Sequence, residues 1–207
     1  MPVDVLLTFL GASMLLTLAP GPDNVFVLTQ GALYGSRAGI CVTLGLCTGL
    51  IFHTTIAVLG LTSIFLLSSV AFFALKIAGA AYLLYLAWGA WRAGASDQSL
   101  SEAVPLTPLQ LYRRGIVMNI TNPKVAVFFV AFLPQFTNAA YGPLPYQLLT
   151  LGAVFIVQAI VLFSLISILA GRLAVWFRHS AGAQRVLNRV TALIFAVLAL
   201  RLALTPR

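Results

Sequence analysis

Apolar residues run along this chain in long continuous blocks parted by short polar stretches. Blocks of about 20 residues suit helices that cross a ~30 Å hydrocarbon core. Six such spans can be drawn: Val5–Leu33, Gly39–Leu67, Val70–Trp91, Leu109–Leu133, Tyr146–Ala170 and Val186–Leu204. The most polar stretch, "RAGASDQSLSEAVPLTP" (Arg92 to Pro108), falls between spans three and four and contains Asp97 and Glu102. It reads as a solvated cytoplasmic linker, residues 93–108, between a first three-helix unit, residues 1–92, and a second, residues 109–207. The expected fold is an all-α integral membrane protein.

Two spans break the pattern. Span one contains "LAPGPDN" (Leu18 to Asn24) and span four contains "MNITNPK" (Met118 to Lys124), both unfit to fill a membrane helix. Their positions correspond: Pro22 lies about a dozen residues before Tyr34, where span one ends, and Pro123 lies eleven before Pro134, where span four ends. Three spans per half is an odd number, so the second half enters the membrane from the opposite side. The pattern therefore predicts a 3+3 inverted repeat with helices one and four broken, the arrangement that marks a transporter's binding site. Elsewhere the repeat is faint; "ALKIAGAAYLLYLA" set against "VLNRVTALIFAVLA" matches at few positions.

The breaks carry chemistry because proline has no N–H. Pro20 and Pro22 leave the carbonyls of Leu16 and Leu18 without helical donors, and Pro123 does the same to Asn119. Such groups cannot face lipid and must be buried in protein or line a wet cavity. Beyond each break a new half-helix begins, with Asp23 or Asn24 placed to cap the first and Asn122 the second. Half-helix N-termini suit a carboxylate, and freed carbonyls suit an ammonium or other cation, so together they can hold both ends of a zwitterion. The simpler reading is a proline kink repaired by its polar neighbours. Two matched breaks with Asp23 and Lys124 beside them favour a substrate site at Pro20, Gly21, Pro22, Asp23, Asn24, Asn119, Asn122, Pro123 and Lys124.

Composition agrees. The 207 residues are 61% hydrophobic and 8% charged, with a mean hydropathy of +1.03, against roughly a quarter charged in soluble domains. The net charge of +8 speaks of topology rather than nucleic acid, since the basic residues flank the spans. Arg37, Arg92, Arg113, Arg114, Arg172, Arg178, Arg185 and Arg189 border the loops after spans one, three and five, whereas Lys76, Arg201 and Arg207 are the most the other side can claim. This bias predicts cytoplasmic odd-numbered loops and both termini outside. No basic stretch precedes the first apolar run, which is expected to be a retained span. Cys41 and Cys47, six residues apart on one helix, are too far apart for a disulfide and read as packing residues.

Within the spans, Asp23 is the carboxylate available to carry a proton, with a capping role or a pairing with Lys124 or Lys76 as the simpler reading. His53, central in "LIFHTTIAVLG", is a second proton-coupling candidate; it could equally bond Thr54, Thr55 or another span. Lys124 could meet a substrate carboxylate or hold Asp23. Lys76 and Arg201 lie where long side chains snorkel to the interface, and Gln30 and Gln158 read first as bonds between helices; Gln30, Lys76 and Arg201 remain weaker site candidates. Glycines 31, 35 and 39, then 45 and 49, recur every four residues and predict close helix packing.

These residues together resemble the lysine exporter/homoserine–threonine resistance (LysE/RhtB) family of amino-acid translocators. The likeness rests on "PGPDN" at Pro20–Asn24, the second-span glycines 39, 45, 49 and 60, "LKIAGAAYLLYLAW" at Leu75–Trp88, "NPK" at Asn122–Lys124 and "LRLAL" at Leu200–Leu204, in order over nearly the whole chain. It implies a bacterial inner-membrane exporter of amino acids, driven by protons and dimeric, with the broken helices framing the path. Its partners would be an amino acid, protons and the lipid bilayer, with no cofactor, metal or nucleic acid. Other classes fit less well. A membrane enzyme lacks its motifs here, a thiol relay would place a cysteine in each half, and a metal exporter would need a ligand cluster. A passive channel, or an exporter of another small solute, stays open.

Overall fold

The computed structural model describes residues 1–61, 69–93, 105–179 and 181–204. Asp97, Glu102 and Arg207, and with them most of the expected linker, lie outside the described residues. The described chain is helical throughout. α1 (Val3–Leu18) and α2 (Pro22–Tyr34) form one bent pair, followed by α3 (Ser36–Ile56), which runs on into a π-helical turn at Ala57–Leu61. After α4 (Ser69–Arg92), a second bent pair comprises α5 (Pro108–Ile120) and α6 (Pro123–Val127), the latter continued by π and 3-10 turns to Phe136. α7 (Leu144–His179) and α8 (Ala181–Leu204) complete the chain.

Four of these helices are long and apolar enough to cross a bilayer alone, and the two bent pairs raise the number to six. This is a multi-pass membrane protein. The bends are 63° between α1 and α2 and 49° between α5 and the segment that follows it. The helices overrun the apolar blocks that mark them: α3 starts at Ser36 rather than Gly39, and α7 reaches His179 rather than Ala170. Hydropathy marks where lipid begins, whereas backbone hydrogen bonding carries a helix on into water.

Local signals set the ends. Pro108 opens α5 at its first position, and Thr107 and Gln110 form a reciprocal capping box in which each backbone N–H donates to the other's side chain. Gly35 turns the chain between α2 and α3 at φ 85°. It is thus a turn residue, and the four-residue glycine spacing does not make it a packing contact, because a left-handed backbone takes it out of the helix. Further along the chain, Gln147 clamps the 137–143 loop by donating to the carbonyls of Asn138 and Gly142.

Close helix approach explains the remaining glycines of that spacing. A Cβ on Gly45 would run into the carbonyl of Tyr112, and one on Gly115 would lie 2.5 Å from the carbonyl of Val42, so α3 and α5 meet backbone to backbone. Gly31 and Gly39 seat α7 in the same way against Ala170 and Ser167, and Gly49 gives room to the side chain of Asn119. α4 lies along α8, and α7 packs against α1, α2 and α3. A cluster of Phe9, Phe128, Phe129, Phe132, Phe136 and Phe155, with ring centroids 4.9–6.4 Å apart, fills the region beyond the second break. Cys41 is half-buried and Cys47 buried, both free, as packing residues.

Candidate functional site

Each proline interruption leaves backbone groups unpaired, and the fold satisfies them by crossing from one break to the other. At the first break, α1 ends at Leu18 and Gly21 precedes α2 in extended conformation, with Pro22 at the first helical position. Lys124, from the second break, donates its Nζ to the carbonyls of Leu16 at 3.1 Å and Ala19 at 3.0 Å. The Leu16 carbonyl is one that Pro20 frees. Its companion is Ala19 rather than the expected Leu18, because the chain leaves the helix there and turns that carbonyl toward α6. Gly21 admits this contact: a Cβ there would lie 3.2 Å from Nζ.

Asp23 and Asn24 do not cap α2. The cap position is Gly21, with no side-chain bond, and Asp23 and Asn24 fall inside the first turn. Asn24 turns back and donates from Nδ2 to the carbonyl of Thr17 at 2.7 Å, repairing the end of α1 instead. Asp23 Oδ2 accepts from Asn119 Nδ2 at a long 3.4 Å. Lys124 and His53 are basic neighbours close enough to act on its charge, but the Lys124 ammonium makes its hydrogen bonds to the carbonyls. The expected pairing of Asp23 with Lys124 or Lys76 is therefore replaced by an amide contact.

The second break caps itself. Asn122 precedes α6 and its Oδ1 accepts from the backbone N–H of Lys124 at 3.0 Å, as its position predicts. The carbonyl of Asn119, freed by Pro123, accepts from the N–H of Asn122 and faces His53 Nε2, each at 3.0 Å. A carbonyl only accepts, so Nε2 carries the proton. His53 thus bonds a neighbouring span, while Thr54 and Thr55 bond their own helix.

The assembled centre is buried and polar: Asp23 is 2% exposed, Asn119 1%, Asn122 4% and Lys124 7%. Asp23 Oδ1, Asn24 Oδ1, Asn119 Oδ1 and Asn122 Nδ2 are buried without a hydrogen-bond partner. Native interiors pair the large majority of such groups; the Asn122 amide lies beside the Asp23 carboxylate, and the remaining acceptors on Asn24 and Asn119 are available to a polar ligand. Sequence reasoning passed over Thr17, whose hydroxyl accepts from Gln158 Nε2 at 2.9 Å while its carbonyl takes Asn24. The signal was present: Thr17 is seven residues before Asn24, about two helical turns. Gln158 is thereby a bond between helices. Gln30 is buried on α2, Lys76 is half-buried on α4, and Arg201 lies 4.8 Å over the ring of Phe136. None of the bonds joining the two breaks uses these three.

A membrane helix bundle with two interrupted spans tied together at a buried polar centre defines the general class of small multi-pass translocators. Comparison with known proteins makes it specific: the sequence model of the LysE type translocator family matches residues 7–205, and the chain belongs to that family. It is 34% identical over 195 residues, 94% of both chains, to a homoserine/homoserine lactone efflux protein of Salmonella typhimurium. It is 31% identical to the uncharacterized membrane protein YrhP of Bacillus subtilis, covering 91% of this chain and 93% of that one. It is also 27% identical, over 63% of this chain and 62% of the other, to a leucine efflux protein of Salmonella choleraesuis. No solved structure gives a significant match.

Proposed function

We propose that this protein is a secondary-active exporter of amino acids or close derivatives across the bacterial inner membrane, coupled to protons. Its substrate binds between the breaks, Pro20–Asn24 and Asn119–Lys124. The observation that carries the reading is the buried polar bridge between two broken helices, whose unpartnered atoms include acceptors and a donor. A zwitterion needs both. Relatives named for homoserine, homoserine lactone and leucine efflux point to the same substrate class.

In this reading residues 1–92 and 109–207 act as inverted halves, joined by a cytoplasmic linker, with both termini periplasmic. The exchange-like packing of α3 on α5 and of α7 on α1 and α2 supports it. Asp23 carries the coupled proton, its free Oδ1 being the place to receive one, and His53 is the second candidate. The working unit is a homodimer.

The test is uptake and efflux in proteoliposomes with a panel of labelled amino acids, with and without an imposed pH gradient. Gradient-dependent accumulation of at least one amino acid is expected. Transport unchanged on collapsing the gradient would remove proton coupling, and no transport of any amino acid would remove the function.

A further inference from the structure

The Lys124 ammonium has an unusual seat. It does not pair with Asp23 by hydrogen bonding, though that carboxylate is a neighbour with a buried, unpartnered oxygen. It rests instead on two backbone carbonyls, Leu16 and Ala19, that belong to the other broken helix. Those carbonyls exist as free acceptors because the helix is interrupted, and Gly21 keeps the approach to them open. Two carbonyls converging on one R–NH3⁺ group are the coordination that any primary ammonium would accept, whether tethered or free.

We propose that the Leu16 and Ala19 carbonyls form an ammonium-binding subsite, occupied here by the chain's own Lys124 and taken by the substrate's α-ammonium during transport. The proposal rests on the amino-acid export reading above. Exchange of one ammonium for another keeps the hydrogen bonds and the charge at the subsite constant. In a buried site that matters, because leaving a cation or two carbonyls unpaired is strongly unfavourable. The displaced Lys124 has an anionic destination close by, the free Oδ1 of Asp23. The displaced cation therefore moves to an anion rather than to an apolar surface. Lys124 belongs to α6 and the carbonyls to the end of α1, so releasing it also unties the two breaks. Substrate binding and the loosening of the helices become one event.

The test removes the tethered occupant. In Lys124→Ala the deleted atoms correspond one for one to n-propylammonium. Saturating n-propylammonium should raise the thermal midpoint of the purified variant by about 5 °C, n-propanol should not, and wild type should respond to neither. Leucine and homoserine, titrated calorimetrically, should bind Lys124→Ala at least about tenfold more tightly than wild type, and N-acetyl-leucine, which has no ammonium, should gain nothing. Equal amino-acid affinity in the two proteins, or no stabilisation specific to the ammonium, would overturn the proposal. Should Lys124→Ala not fold, Lys124→Met keeps the apolar stem and makes the same affinity prediction; recovery of folded Lys124→Ala only with n-propylammonium present would itself support the subsite. If n-propylammonium stabilises the variant while no amino acid binds either protein, the export reading fails, and the substrate's claim on the subsite fails with it.

Discussion

At the first break the chain turns through 63° over Ala19, Pro20 and Gly21; Asn24 answers the Thr17 carbonyl locally, but those of Leu16 and Ala19 are met by a lysine more than a hundred residues further on. At the second it turns through 49° over Thr121 and Asn122, and those residues supply the repair themselves. Thr121 bonds back to the carbonyl of Val117 through both N–H and hydroxyl, and Asn122 closes on Asn119 and caps α6. Of its freed backbone groups, the Asn119 carbonyl alone draws on another span, through His53. One break is therefore propped from outside and the other is self-supporting. A propped break changes shape when its prop moves. A self-capped one can keep its geometry while helices shift around it, which would make it the fixed side of the pair.

This contrast can be attacked at several points. The largest effect is expected from Asp23→Asn, which keeps the shape of the first half-helix but removes the group proposed to receive a proton. Coupled export in proteoliposomes should fall by about a hundredfold or more, with unchanged membrane insertion. Normal coupled transport would reduce Asp23 to a partner of Asn119. Next come the prolines. Pro20→Ala restores an N–H that competes with Lys124 for the Leu16 carbonyl, whereas Pro123→Ala restores one to a carbonyl that already has two partners. Export should drop about tenfold for the former, the equivalent of about 1.4 kcal/mol, and about twofold or less for the latter. The reverse order would mean that the second break is the moving one.

Smaller effects probe the self-supporting side. Asn122→Ala removes the cap of α6 and should cost about 1 kcal/mol, lowering the thermal midpoint by about 2–4 °C. His53→Gln can still donate to the Asn119 carbonyl, and that carbonyl keeps the Asn122 N–H. Export should stay within about twofold of wild type if the imidazole only braces the break; loss of coupling in this variant alone would make His53 the proton carrier.

Much of this architecture was legible in the residues. Long apolar blocks marked the spans, since a bilayer leaves a backbone few other solutions. Pro20 and Pro123 marked the breaks, and Asn122 marked the cap of α6, because a missing N–H and a side chain two residues from its donor act locally. Reading failed where the choice of partner was not local. Asp23 and Asn24 have the side chains of caps, yet Gly21 occupies that position, and the pair turn to Asn119 and Thr17. Gly35 carried the small-residue spacing of a packing face but sits at the turn between two helices.

By itself, then, the sequence determined that the Leu16 and Asn119 carbonyls would lose their helical donors and that up to six spans could cross the membrane. Proline chemistry and hydropathy act within a few residues and need no knowledge of neighbours. Only the tertiary structure decided who answers the freed carbonyls: Lys124 at Leu16 and Ala19, His53 at Asn119. Those pairings join residues 66 to 108 positions apart. They exist because Gly45 and Gly115 let α3 and α5 touch and because Gly21 lets an ammonium approach the backbone.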